Sequence, residues 1–335
     1  MLDGRKRSVA RALVASSFAI TLAGVGIAAS PVSAKPTPES VKAKVQSLYR
    51  EAEIASEQLN NATAQAKQAK ATLKALNKDF KRESASVDDM RQQVAAIVVA
   101  QYQGQPLTAA SQVALAGNPS SFIQGINVMN GISTQQAAML SEYKVQFDRL
   151  AMRRDAVKRE TAILAQAQAK IAKEQRHVEN ATTEAETQLA SLTHTQRAAV
   201  VTQIAGPSYS RSAIRVPKVS GMAGVAVRYA LSQVGKSYVY GTSGPNTFDC
   251  SGLTMAAWGA AGVGLSHNSA AQFNEGTRIS ESELQPGDLV FYYGGISHVG
   301  IYIGDGKIVN AQNPSTGVRI TSLHAMPYVG AVRLG

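Results

Sequence analysis

The sequence predicts an α+β protein: a long α-helical hairpin leading into a compact domain in which helices precede an antiparallel sheet. Three observations predict it. Apolar residues recur on an alternating 4,3 spacing from Val41 to Ile97, the period of a helix packed along a seam. Period-two apolar runs fill the C-terminal end between tight turns, as in half-buried strands. The stretch between these two regimes, residues 201–220, turns to Gly, Pro, Ser and scattered Arg and reads as a linker. The length, 335 residues, suits two domains, and 44% apolar content excludes a wholly disordered chain.

Residues 1–34 read as a secretory signal. Arg5, Lys6, Arg7 and Arg11 form a basic start, Leu13 to Ala29 an apolar stretch of small residues, and Val32-Ser33-Ala34 a small-x-small cleavage pattern. A membrane anchor that stays attached is the other reading. Export places the protein in the cell envelope or outside it. No later segment reaches the 18 or so consecutive apolar residues of a membrane span. The chain holds one cysteine, Cys250, which excludes an intramolecular disulfide and a four-cysteine zinc site.

The hairpin is assigned to residues 35–200. Its first seam runs Val41, Val45, Leu48, Ala52, Ala55, Leu59, Ala62, Ala66, Ala69, Leu73, Leu76 and Phe80, then Val87, Met90, Val94 and Ile97, broken only at Glu83. A second run keeps one apolar seam position per heptad from Tyr143 through Leu150, Val157, Leu164, Ile171, Val178, Ala185 and Leu192 to Ala199. The simplest assembly zips the two runs together as an antiparallel coiled coil; pairing between molecules is the alternative. Between them, the tip segment 101–130 mixes Gly and Pro with Leu107, Phe122, Ile123 and Ile126. It is too apolar for a solvated loop and is expected to form short helices that dock on a partner or pack locally.

Charge follows the same division. Residues 35–220 hold 24 Lys and Arg against 16 Asp and Glu, whereas residues 221–335 hold six of each. An exported chain without an aromatic-interleaved basic patch is a poor nucleic-acid binder.

In residues 221–335, helical spacing from Ala223 to Val234 is followed by Tyr238-Val239-Tyr240-Gly241, then Asp249-Cys250-Ser251-Gly252 opening a second helix. Strands are expected at Asp288–Tyr293, His298–Ile303, Lys307–Ala311, Val318–Ser322 and Val329–Leu334, joined as a meander. A thiolate at a helix start faces free N–H groups and the positive end of the helix dipole, which lowers its pKa. A nucleophilic thiol needs a base, and His298 opens a strand from which its ring can reach that helix start. Twelve residues on, across the Gly304–Gly306 turn, Asn310 can lie beside His298 and orient the ring.

These residues carry a resemblance. Tyr238-Val239-Tyr240-Gly241, Phe248-Asp249-Cys250-Ser251-Gly252-Leu253, Ser269 with Gln272, Pro286-Gly287-Asp288-Leu289-Val290-Phe291 and His298-Val299-Gly300-Ile301-Tyr302-Ile303-Gly304 are similar to the NlpC-type papain-like peptidoglycan endopeptidases. The front of the chain resembles the actinobacterial, Rip-like members, which place a coiled coil before this domain. The resemblance implies Cys250 as nucleophile, His298 as base and Asn310 in the third position, often His or Glu in the family. It implies Tyr238, Asp249 and Ser251 as substrate-gripping residues, and no metal or cofactor. His267-Asn268 stands where the family commonly has Arg-Thr.

The implied reaction is hydrolysis of stem-peptide amide bonds in peptidoglycan, usually between D-isoglutamate and the diamino acid, in wall remodelling and daughter-cell separation. A division complex in the membrane is the expected partner of the hairpin tip, and the arm is expected to cover the Cys250 cleft until it docks. The alternatives are a non-hydrolytic peptidoglycan-binding scaffold or activator, and amidase or transferase chemistry on the same fold. A zinc peptidase is set aside, because the sequence has no H-x-H or H-E-x-x-H.

Overall fold

The computed structural model describes residues 36–101, 134–214 and 219–335. The expected signal segment and nearly all of the tip segment, including Leu107, Phe122 and Ile123, lie outside them. Among the described residues no helix is long and apolar enough to cross a membrane.

Two long helices, α1 (Pro38–Gln101) and α2 (Thr134–Ala190), pack side by side. Val41, Val45 and Leu48 at the start of α1 share a buried cluster with Ala181, Ala185 and Leu189 at the end of α2. At the far end Val87 and Val94 meet Tyr143, so the helices run antiparallel. Seam alanines such as Ala52, Ala62 and Ala185 are buried; small side chains bring the two backbones close. Arg153 of α2 bridges to Glu83, the residue that interrupts the apolar seam, at 3.2 Å.

The second apolar run is not one helix. It stops at Ala190, and α3 (His194–Ala205) starts afresh with Thr193 as cap and Gln196 reaching back to the Thr193 N–H at 3.1 Å. This capping box satisfies two orphan backbone donors and fixes the break. Nor do residues 201–220 begin as a linker. Val200 and Ile204 of α3 are buried on the hairpin, Arg319 holds the Ala205 carbonyl at 2.8 Å, and Tyr209 pairs with Ile320.

The C-terminal domain opens with α4 (Gly221–Ser232), a short parallel pair β1 (Ser237–Tyr238) and β2 (Thr247–Phe248), α5 (Cys250–Ala260) and the single turn α6 (Ser269–Gln272). Six antiparallel strands follow: β3 (Thr277–Ile279), β4 (Leu289–Tyr292), β5 (His298–Gly304), β6 (Lys307–Ala311), β7 (Val318–Ser322) and β8 (Tyr328–Arg333). The order β3-β8-β4-β5-β6-β7 departs from a simple meander. Only β4 to β7 follow it; β8 returns to the free edge of β4, and β3 covers β8.

One face of the sheet (Leu289, Phe291, Val299, Ile301, Val309) packs on α4 and α5 around Trp258 and Leu253. The other carries Val290, Tyr292 and Ile308. The β5–β6 hairpin turns on Asp305 and Gly306, at φ 50° and 64°, the left-handed pair a tight two-residue turn needs. Its register sets Ile301 against Val309 and Tyr302 against Ile308. His298 and Asn310 therefore share a face, on the diagonal.

Candidate active site

Asp249 caps α5. Its carboxylate accepts from Gly252 N–H at 2.6 Å and from Gly241 N–H at 2.8 Å, and His267 Nε2 lies 2.8 Å away. Gly252 is obligatory: a Cβ there would stand 2.2 Å from the Thr242 carbonyl oxygen and 2.8 Å from Asp249 Oδ1. This cap fixes Cys250 as the first residue of the helix. Gln272 braces the same turn, donating to the Ser251 carbonyl at 2.9 Å while accepting from Thr254 at 2.6 Å.

His298 begins β5 where the strand end meets the start of α5. Its Nε2 lies 3.1 Å from Asn310 Oδ1. The Asn310 amide is itself oriented, since its Nδ2 donates to Thr321 Oγ1 at 2.9 Å. Gly300 lies between them on the same face, and a Cβ there would come within 3.2 Å of Asn310 Cβ. The missing side chain leaves room for the diagonal contact. His298 Nδ1 is thereby turned toward Cys250; Sγ, Nδ1 and a Glu53 carboxylate oxygen all lie within 4.8 Å of one another. The structure thus brings Cys250, His298 and Asn310 together, with Ser251 adjoining. Tyr238 is buried, its ring edge-on to Tyr240 at 4.9 Å.

Helix α1 runs across this site. Arg50, Glu53, Glu57 and Asn60 recur every three or four residues and so share one face, with Tyr49 at its edge, four residues before Glu53. Tyr49 bonds Ser315 at 2.6 Å and accepts from Tyr240 through its carbonyl at 3.2 Å. Arg50 bonds Ser297, stacks 3.7 Å above the Tyr293 ring, and holds Glu53 Oε2 at 2.6 Å. Glu53 Oε1 then meets His298 Nδ1 at 2.5 Å. Glu57 enters the notch beside the thiol. Ser251 Oγ donates to it at 2.7 Å and Ser269 Oγ at 2.8 Å, with the Ser269 N–H also bound, and Cys250 Sγ is 3.7 Å away. Asn60 donates to Asp249 at 3.2 Å.

The electrostatics follow from this cover. Cys250 and His298 are each 1% exposed. Burial, then the charges of Glu57, Glu53 and Asp249, push the Cys250 thiol well above its ordinary value. This corrects the sequence-based expectation of a lowered pKa: desolvation and three carboxylates outweigh the helix dipole. Burial and the Asp249 charge push Glu57 up to about 7 against the bonds from Ser251 and Ser269.

Sequence reasoning missed Glu53, Glu57 and Asn60, and also Thr321 and Gly300. On a heptad pattern the first three look like solvated flank positions. The available signal was a polar stripe, Arg50-Glu53-Glu57-Asn60, at helical spacing beside an apolar seam.

The NlpC/P60 family profile matches residues 235–332. Over 97 residues the chain is 53% identical to a probable endopeptidase p60 of Listeria grayi, covering 28% of this chain and 19% of that relative. Over 104 residues it is 45% identical to a probable endopeptidase of Corynebacterium glutamicum, covering 31% of this chain and 50% of that one. The chain spans about half the length, or less, of the curated relatives it matches. Among solved structures, the NlpC/p60 domain of the peptidoglycan hydrolase SagA is 31% identical at a TM-score of 0.32, covering 33% of this chain and 98% of that one. Residues 235–332, which hold Cys250, His298 and Asn310, are therefore an NlpC/P60 domain, of a cysteine peptidase family.

Proposed function

We propose that this protein is an exported peptidoglycan hydrolase that cuts stem-peptide amide bonds with Cys250, His298 and Asn310, and that the described state is its latent form. The observation that carries the reading is the Cys250–His298–Asn310 arrangement inside a cysteine peptidase domain. With α1 withdrawn, water and substrate reach the thiol and two of the three carboxylates that hold it neutral leave with the helix. His298 Nδ1 then takes the thiol proton, and the thiolate attacks the amide carbonyl. Backbone N–H groups at the start of α5, that of Cys250 included, face the developing oxyanion. The imidazolium, held by Asn310 Oδ1, protonates the leaving amine. The same ring then activates water to release the acyl-enzyme.

Glu57 supports a choice of bond. A carboxylate in the notch of Ser251 Oγ, Ser269 Oγ and Ser269 N–H sits 3.7 Å from the nucleophile. A D-isoglutamyl residue carries a free α-carboxylate near its γ-amide, so the same donors suit cleavage between D-isoglutamate and the diamino acid. Tyr238 and Asp249 are the remaining proposed substrate contacts. Asp249 is already engaged by Gly252, Gly241 and His267, so its part is chiefly to hold the loop. A division complex in the membrane, engaging the hairpin tip during daughter-cell separation, is the proposed agent that lifts α1.

The test uses residues 35–335 with Glu53→Ala on purified peptidoglycan, with muropeptides read by mass spectrometry. New termini at the D-isoglutamyl bond are expected. Intact stem peptides, or equal cleavage by Glu53→Ala/Cys250→Ala, would overturn the reading.

A further inference from the structure

The closed site assembles a donor set that neither part of the molecule has alone. Cys250 Sγ and His298 Nδ1 come from the peptidase domain, and a Glu53 carboxylate oxygen comes from the arm. All three residues are buried, and the three atoms lie within 4.8 Å of one another. Their neighbours are already fixed: Arg50 holds the other Glu53 oxygen at 2.6 Å, and Asn310 holds the other His298 nitrogen at 3.1 Å. A ligating imidazole and carboxylate are commonly oriented by such outer contacts.

We propose that this trio is an inhibitory zinc site, which a divalent zinc ion occupies to staple α1 onto the catalytic pair. Thiolate, imidazole and carboxylate form a borderline-soft set suited to zinc and ill suited to magnesium or calcium. Zinc bonds of about 2.0–2.3 Å place tetrahedral ligands roughly 3.3–3.6 Å apart. The trio reaches that spacing when the 2.5 Å contact between Glu53 and His298 opens by about 1 Å around the ion. Two oxygens already at 3.7 Å from Sγ, Glu57 Oε1 and the Ser297 carbonyl, offer the fourth position. The charges balance: one thiolate and one carboxylate neutralise the ion in a dry pocket. The thiol proton and the proton shared by Glu53 and His298 leave to solvent. Because Glu53 is in place only when the arm is closed, an ion held by all three residues binds the closed state and stabilises it by mass action. This metal blocks the nucleophile and the base together and takes no part in hydrolysis. The inference rests on the closed geometry and not on the substrate assignment.

The test is titration of residues 35–335 with cobalt(II) alone, then with zinc(II) as competitor. Cys250 is the only cysteine, so a thiolate-to-cobalt absorption band reports this site and no other. The expected result is a thiolate band with the visible bands of four-coordinate cobalt, erased by one equivalent of zinc. Cys250→Ala and His298→Ala should abolish it. Glu53→Ala should weaken affinity at least about tenfold, the smallest loss expected when even an outer partner is removed. Glu53→His should restore tight binding, because it returns a ligand to α1. Absence of a thiolate band would overturn the proposal. So would wild-type affinity in Glu53→Ala, which would leave the Cys–His pair as the whole site. Failure of Glu53→His to rescue would overturn it too, tracing the loss to release of the arm. No outcome depends on whether peptidoglycan is cut.

Discussion

Glu53 Oε1 lies 2.5 Å from His298 Nδ1 across 245 residues of sequence. The proton between them occupies the lone pair that general-base catalysis needs, while Glu57 fills the notch beside the thiol. In the proposed latent form, two carboxylates one helical turn apart thus occupy base and nucleophile together.

Glu53→Ala should release that inhibition. Removing one partner of a buried pair costs on the order of 3 kcal/mol, here charged to the closed state, so the open fraction rises about a hundredfold. Iodoacetamide labelling of Cys250, followed by intact mass, reads the opening without any substrate. The wild type should label slowly, since Cys250 is 1% exposed and its thiol is held neutral. Equal labelling rates for the two proteins would remove the latch.

The latch should also weaken as pH rises. Glu57 stands at about 7 in the closed state and returns to about 4.3 when α1 lifts into solvent. The closed state therefore binds more protons between those values. Its stabilisation is complete below the lower one and is lost as pH climbs through about 7. With EDTA present, Cys250 labelling in residues 35–335 relative to residues 221–335 should climb between pH 5.5 and 8. The ratio cancels ionisation of the thiol itself. Glu57→Gln should flatten the climb; an unchanged slope would assign the effect elsewhere.

How much of this was legible in the sequence follows from the physics of each signal. Strands β4 to β7 were readable because they are short apolar runs set between turns such as Gly304–Gly306, although β4 to β6 prove buried on both faces. The strand β3 was not: Thr277–Ile279 is a short edge whose partner, β8, lies over fifty residues away. Cys250, His298 and Asn310 were readable because a helix start, a strand start and a tight hairpin place them locally. Glu53 and Glu57 were not. Their burial is created by a domain that begins more than 150 residues later, and a carboxylate on a helix flank is ordinarily solvated. Thr321 was hidden because its part, turning the Asn310 amide, depends on the β6–β7 register.

Two glycines of α5 should respond oppositely to alanine. At Gly252 an added Cβ meets the Thr242 carbonyl at 2.2 Å and Asp249 Oδ1 at 2.8 Å, and backbone cannot give way. Gly252→Ala should destabilise the full chain by about 1–3 kcal/mol. At Gly259 a Cβ meets nothing within 4 Å, so Gly259→Ala should stabilise by roughly 0.5–1 kcal/mol. Urea unfolding midpoints decide. Similar destabilisation at both positions would mean that the Asp249–Cys250 turn is not held as described.

The last prediction separates orientation from charge in the proposed triad. Asn310 accepts from His298 Nε2 at 3.1 Å and is aimed by Thr321 at 2.9 Å. An amide holds the ring in place but offers the imidazolium no countercharge. In the Glu53→Ala background, where the cover is loosened, Asn310→Ala should lower kcat about a hundredfold, as loss of an orienting group does, with KM little changed. Asn310→Asp keeps the acceptor and adds a charge, so it should retain most of kcat and move the acid limb of the kcat–pH profile upward. Thr321→Val leaves Asn310 in place but frees its amide to rotate, so it should fall between wild type and Asn310→Ala. If Thr321→Val and Asn310→Ala both left kcat and its pH profile unchanged, His298 would be held by the strand alone, and Asn310 would be a buried structural amide.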